Sequence, residues 1–299
     1  MSTSAKLLSV IVCTFNRSKY LDKCLNSLVQ QVDVDPHEYE ILIIDNNSRD
    51  NTKEIVQKYI HDFPSISIKY VFEKTPGLSH ARNRGIDEAK GQYVAFIDDD
   101  GIAHHDWIKE IISFTNRRPS IQGFGGPSYR IAEIPIPNWT PDNYGTVDLG
   151  PDEKEVIIGI IGCNMVFKKS LFDEIGKFNP NLGMKGGKMG YGEEDEIFRK
   201  MIQRNLPIIY VPQIKIDHLL ETYKLNMFWR LKSKFTKVAV EIRRSTKENN
   251  RFNTSAEVAK LLNVPYFFSD KPLQQKIYTL LLACAIILGS IYGHILKIF

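Results

Sequence analysis

Residues 95–107 read AFIDDDGIAHHDW, which sets Asp98, Asp99 and Asp100 side by side at the end of an apolar run. Adjacent carboxylates raise one another's pKa unless a positive charge lies among them. The triplet therefore implies a bound cation or a solvated acidic turn, since Asp is a common turn residue and Gly101 follows at once. A second acidic cluster, Glu193-Glu194-Asp195, comes after the glycine-rich stretch LGMKGGKMGYG and before Ile197, Phe198 and Met201 at helical spacing. The helix dipole accounts for one acid in a first turn. Three exceed that need, and a carboxylate within hydrogen-bond reach of a hydroxyl can act as a general base.

Both clusters need a scaffold. Residues 8–14, 40–44, 66–73 and 93–97 read as strands, most of them buried on both faces, and residues 20–30, 51–60 and 78–89 repeat apolar positions at helical spacing. That alternation predicts an α/β fold with a mostly parallel, Rossmann-like sheet flanked by helices. In such sheets ligands collect at the carboxyl ends of the strands. Three of the four predicted strands end in polar residues: Thr14-Phe15-Asn16-Arg17, Asp45-Asn46-Asn47-Ser48 and the Asp98 cluster. A polar pocket on one rim follows, with acids supplied by two strands. Beyond Trp107, residues 123–152 form a Gly- and Pro-rich connection, 156–167 read as a strand or strand pair containing Gly162-Cys163-Asn164, and 206–211 and 214–218 as further strands.

A chain of 299 residues can bury a sizeable core, and a net charge of +4 is too mild to imply a nucleic-acid partner. Cys13, Cys24, Cys163 and Cys284 show no CxxC spacing, so neither a zinc site nor a disulfide framework is indicated, and a reducing compartment fits. The apolar N-terminal run lacks a cleavage site and reads as a strand rather than a signal peptide. Residues 277–296 contain no Asp, Glu, Lys or Arg, and about twenty apolar residues are enough to cross the hydrocarbon. They read as a single-pass anchor, a membrane-associated helix or a buried C-terminal helix. Lys and Arg dominate residues 224–251, which favours the bulk of the protein on the cytoplasmic face of a membrane.

Taken in order, TFNR, IDNNSRDNT, GLSHARNRGIDEAKGQYVAFIDDD, GCNMVFKKSLFDEIGKFNP and GYGEEDEIFRK resemble family 2 glycosyltransferases of the GT-A fold, over about residues 7–220. The resemblance implies a metal-dependent, inverting transfer of a sugar from a nucleoside diphosphate sugar to a hydroxyl on a polysaccharide or lipid-linked glycan. It makes Thr14 and Asn16 lining residues of the nucleotide pocket, Arg17 a phosphate contact, Asp45 the acceptor for the base, and Arg82 a basic residue near the nucleotide. It makes Asp100 the direct ligand of Mn2+ or Mg2+, with His218 beside it, Asp98 a ribose or metal contact, and Asp99 part of the same motif. Asp195 becomes the general base, with Glu194 as its partner.

The implied organisation is a catalytic domain over residues 1–222, with a nucleotide half of about 1–107 and an acceptor half of about 108–222. A basic helical region, 223–276, and the membrane helix, 277–296, follow. His104 and His105 match no functional position, and Trp139 serves an acceptor-side loop or simple packing. The rival readings are a nucleotidyltransferase of similar architecture and an inactive GT-A scaffold at the membrane. A processive synthase fits less well, because one candidate span and no QxxRW-like stretch are present.

Overall fold

The computed structural model describes residues 6–157, 160–245, 254–261 and 270–298. The chain divides into two compact units. The first comprises Met1–Ile131, Gly145–Gly186 and Glu193–Leu219; the second comprises Ala132–Tyr144, Gly187–Gly192 and Leu220–Phe299.

The first hundred residues alternate as their pattern demands: β1 (Leu8–Thr14), α1 (Ser18–Val29), β2 (Tyr39–Asp45), α2 (Thr52–Asp62), β3 (Ile68–Phe72), α3 (Leu78–Glu88) and β4 (Tyr93–Asp98). Next come β5 (Gly101–Ala103), α4 (Trp107–Arg117), β6 (Gly123–Gly125), β7 (Ser128–Ala132), β8 (Lys154–Glu155), β9 (Met165–Lys168), α5 (Leu171–Ile175), α6 (Glu193–Ile202), β10 (Ile208–Tyr210) and β11 (Ile216–Leu220). Eight strands form one sheet in the order β3-β2-β1-β4-β9-β6-β10-β8, and β5-β11-β7 form a second. The pairs β1–β2, β1–β4, β2–β3 and β6–β10 are parallel.

Alternate residues of β1 feed different cores. Val10 and Val12 pack with Leu21 and Leu25 of α1 and with Trp107 and Ile111 of α4. Ile11 packs with Leu42 and Ile44 and with Ala81 and Ile86 of α3. A continuous apolar run is what a strand covered on both faces requires, and each such fully buried aliphatic side chain contributes about 1.5–3 kcal/mol. Close helix-to-sheet packing needs Gly85, since a Cβ there would lie 2.6 Å from Ile11 Cγ2.

Two features go beyond the sequence expectation. Strand β9 inserts between β4 and β6 and runs antiparallel to both, joining two parallel blocks. Residues 162–164 form a turn before β9 instead of a strand, because the buried Asn164 amide donates to Pro127 O (2.9 Å) and Ile214 O (2.8 Å) and its oxygen accepts from Trp107 Nε1 (3.0 Å). The remainder of the predicted 156–167 segment includes residues 158 and 159, which lie outside the described residues.

In the second unit, α7 (Met227–Ser245), α8 (Thr254–Leu261) and α9 (Leu273–Ile298) follow a 3-10 turn over Thr222–Leu225. Residues 132–144 are fastened to these helices. The Arg230 guanidinium sits 3.9 Å from the centre of the Tyr144 ring, and Gln275 Nε2 donates to Thr140 O at 2.9 Å. Trp139 packs on Tyr278, with ring centres 4.8 Å apart.

Candidate active site

The acids stand where the parallel strands end. Asp98 closes β4, and Asp99 and Asp100 form the turn into β5. That turn is tight, since a Cβ at Gly101 would lie 2.7 Å from Ile97 Cγ1. Strand β5 then pairs antiparallel with β11, with Gly101 opposite His218, and Leu219 N donates to Asp100 O at 2.9 Å. This register carries a histidine 118 positions downstream (218 minus 100) back to the turn: His218 Nε2 lies 3.2 Å from Asp100 Oδ1. Ligand atoms of Asp98, Cys163 and His218 all lie within 4.8 Å of one another.

Arg17, at the N-cap of α1 just beyond β1, meets the same acids. Its Nη1 lies 2.6 Å from Asp99 Oδ1, and its Nη2 donates to Asp100 Oδ2 at 2.7 Å. Asp99 and Asp100 are both buried. Burial pushes the Asp99 pKa up, Arg17 opposes that shift, and the neighbouring Asp100 charge adds to it. The sequence assigned Arg17 to a phosphate; its guanidinium lies against the carboxylates.

Asp45, ending β2, is also buried, and both its oxygens are engaged. Oδ1 accepts from Ser48 N at 2.8 Å and Oδ2 from Tyr70 Oη at 2.6 Å. The two engagements hold the loop after β2 and leave the second lone pair of each oxygen for another donor. Asn16 takes a left-handed conformation (φ 54°) and accepts from Arg49 N at 2.7 Å, which ties the ends of β1 and β2 together.

Arg82 is the hub. It begins the second turn of α3, is buried, and its guanidinium lies over the rings of Phe96 and Phe178, 5.9 and 5.3 Å from their centres. Its Nη1 reaches Glu193 Oε1 at 3.1 Å and Glu194 Oε2 at 3.8 Å, while Nη2 reaches Asp98 Oδ1 at 3.6 Å. Burial alone would lower the Arg82 pKa, but Glu193, Asp98 and Glu194 together outweigh it and raise it. Burial, followed by the neighbouring Glu193 charge, lifts the Glu194 pKa to about 7 against the opposing pull of Arg82. Gly162 makes room for this network: a Cβ there would stand 2.8 Å from Arg82 Nη2 and 3.4 Å from Glu194 Oε1.

Two ion-paired groups result, Arg17 with Asp99, Asp100 and His218, and Arg82 with Asp98, Glu193 and Glu194, and they meet where ligand atoms of Asp98 and His218 lie within 4.8 Å of each other. Asp195, next in α6, is exposed. Thr14, Asn16 and Asp45 line the adjoining strand ends. Two participants were missed in the sequence. Glu193 is the buried ion-pair partner of Arg82, and Cys163 lies beside Asp98 and His218. The acidic cluster pointed to Glu193 without separating its ion-pair role from those of Glu194 and Asp195, and Cys163 carries no local signal, since it reaches Asp98 only through the fold. His104 pairs with Asp217 (3.4 Å), and His105 is largely exposed.

The sequence model of "Glycosyl transferase family 2" matches residues 9–176, more than half of the chain. The chain is 26% identical over 230 residues to a glucosyl-dolichyl phosphate glucuronosyltransferase of Haloferax volcanii, covering 74% of this chain and 72% of that protein. It is 32% identical over 112 residues to the poly(ribitol-phosphate) beta-N-acetylglucosaminyltransferase TarS of Staphylococcus aureus, covering 38% of this chain and only 19% of that one. The structure of TarS residues 1–349 in complex with UDP-GlcNAc superposes with a TM-score of 0.58 at 19% identity, covering 95% of this chain and 81% of that one. The mannosyltransferase PcManGT from Pyrobaculum calidifontis, in complex with GDP-Man and Mn2+, gives a TM-score of 0.59 at 17% identity, covering 97% of this chain and 74% of that one.

Proposed function

Because the chain belongs to glycosyl transferase family 2, we propose that it transfers a sugar, with inversion, from a nucleoside diphosphate donor to a hydroxyl of a lipid-linked or polymeric glycan. The observation that carries this reading is the convergence of Asp98, Asp100, His218, Arg82 and Glu194 at the carboxyl ends of β1, β2 and β4. The acceptor class follows the names of the relatives, one acting on a glucosyl-dolichyl phosphate and one on poly(ribitol-phosphate).

The donor set fits a divalent ion. Two carboxylates and an imidazole at one turn are hard-to-borderline donors, which suit Mg2+ and, through the imidazole, Mn2+. Asp98, Asp100 and His218 would hold such an ion, which supplies Lewis-acid stabilisation of charge on the departing diphosphate. Arg17 neutralises Asp99 and Asp100 and can turn its guanidinium to phosphate oxygens, a bidentate match that guanidinium makes well. Asp45, on the neighbouring strand, accepts from the imide NH of a pyrimidine or the amide-like edge of a guanine.

Asp195 acts as the general base. It is exposed in the first turn of α6, where an acceptor hydroxyl can approach, and one base acting on one displacement inverts the anomeric centre. Glu194 keeps its carboxyl on Arg82 and sets the position of α6 against Asp98. Thr14 and Asn16 shape the loop on the nucleotide side.

The test is a donor screen. UDP-, GDP- and dTDP-linked sugars are offered with Mn2+ to a polyprenyl-phosphate glycan and to a polyol-phosphate polymer. A glycosylated product from wild type, absent with Asp195→Ala, supports the reading. Donor binding without any product from either acceptor class overturns the acceptor assignment.

A further inference from the structure

We infer that α9 docks flat in the interface of an anionic bilayer and does not cross it. The inference refines a membrane location for the proposed transferase, yet its evidence lies wholly in the second unit. Residues Leu273–Leu296 are 24 in number, and at 1.5 Å per residue they are long enough for a hydrocarbon layer of about 30 Å. Length therefore permits both arrangements, and the sides of the helix decide between them.

Apart from Tyr278 and Ile286, the buried side of α9 carries small and polar residues, among them Thr279, Ala283, Gly289, Ser290 and Gly293. Outward, at steps of three or four, stand Leu273, Ile277, Leu280, Cys284, Leu288, Ile291 and Ile295, and the six aliphatic ones are each more than 40% exposed. A soluble helix turns its large apolar side chains to the core. This one turns most of its large aliphatic side chains outward, as helices do when lipid is the solvent. The outward stripe calls for an apolar medium.

Helix α7 forbids that medium on all sides. It runs beside α9: a Cβ at Gly289 would lie 2.6 Å from Phe235 O, one at Gly293 2.9 Å from Ala239 O, and Ile286 packs with Val238 and Ile242. Over the same stretch α7 carries Lys232, Lys234, Lys237, Glu241 and Arg243. An α9 that crossed the bilayer would draw these charges through the hydrocarbon, where ionised side chains are strongly disfavoured. Lying in the plane resolves the conflict. The apolar stripe enters the headgroup–acyl boundary, while the lysine stems reach back to water and their charges attract anionic headgroups.

The experiment uses the full chain and the native Cys284, which is exposed on the outward side of α9. Cys284 is labelled with an environment-sensitive fluorophore, as are Leu273→Cys and Ile295→Cys in a Cys284→Ser background. Each protein is bound to phosphatidylcholine–phosphatidylglycerol vesicles bearing spin labels at shallow or deep acyl positions. The inference expects equal quenching at all three positions, strongest with the shallow label. A deep Cys284 flanked by ends on opposite surfaces overturns it in favour of a spanning helix. No quenching at any position overturns it in favour of a protein occupant such as a second copy.

Lys232→Gln and Lys237→Gln should each weaken binding to the anionic vesicles about fivefold and leave any binding to pure phosphatidylcholine unchanged. Binding indifferent to both variants overturns the electrostatic part. Sugar transfer is not read in this assay, so its outcome is separate from that of the transferase assignment.

Discussion

Replacing Arg82 with Gln tests whether one buried cation holds the two halves of the site together. Its guanidinium is 3.1 Å from Glu193 and within 4 Å of Glu194 and Asp98. At an effective dielectric of about 20, a unit-charge pair at 3.1 Å gains about 5 kcal/mol. Desolvating the guanidinium takes back several kcal/mol, and removing one partner from a buried network costs about 3–5 kcal/mol. That loss is expected at pH 8, where Glu194 is ionised.

Glu194 titrates at about 7 in the fold, against an ordinary value of 4.5. A carboxyl with a raised folded pKa favours the fold fully below 4.5, and this contribution is lost as pH rises through 7. Arg82 limits that loss, so its removal should matter most above pH 7 and cost roughly half as much at pH 5.5. Urea unfolding at both pH values reads the effect, and Arg82→Gln with Glu194→Gln should recover part of the stability at pH 8. A loss below about 1 kcal/mol at pH 8, or an equal loss at both pH values, would refute the reasoning.

Gly162→Ala should displace the Arg82 head, lowering stability by about 1–3 kcal/mol with a raised KM for the donor, checked by denaturation and initial rates. Asp195→Ala should bind donor normally in calorimetry while transfer falls by two or more orders of magnitude, the scale of a lost general base. Cys163→Ser removes a soft donor beside Asp98 and His218, so inhibition by Zn2+ should weaken while Mn2+ affinity holds, read by metal titration.

The parallel half of the fold was legible because each of its strands is a local apolar run and each helix a local periodicity. Strand β1 over Leu8–Thr14 and the ends of α3 follow that pattern closely. The direction of β9 was not legible, because a four-residue strand carries no mark of its orientation. Asp98, Asp99 and Asp100 announced themselves as adjacent charges, but what neutralises them did not. Arg17 reaches them across a neighbouring strand and His218 through the pairing of β5 with β11, both products of tertiary register. The outward apolar stripe of α9 was likewise hidden, since composition shows how apolar a segment is and not which side its neighbour covers.

Isothermal titration of UDP, GDP and dTDP, each with Mn2+ and again with chelator, bears most directly on the account. Wild type should bind one of the three with Mn2+ and lose most of that affinity with chelator, and Asp100→Ala should show only the weak, metal-independent component. Binding of none of them, or equal binding in chelator, would contradict it.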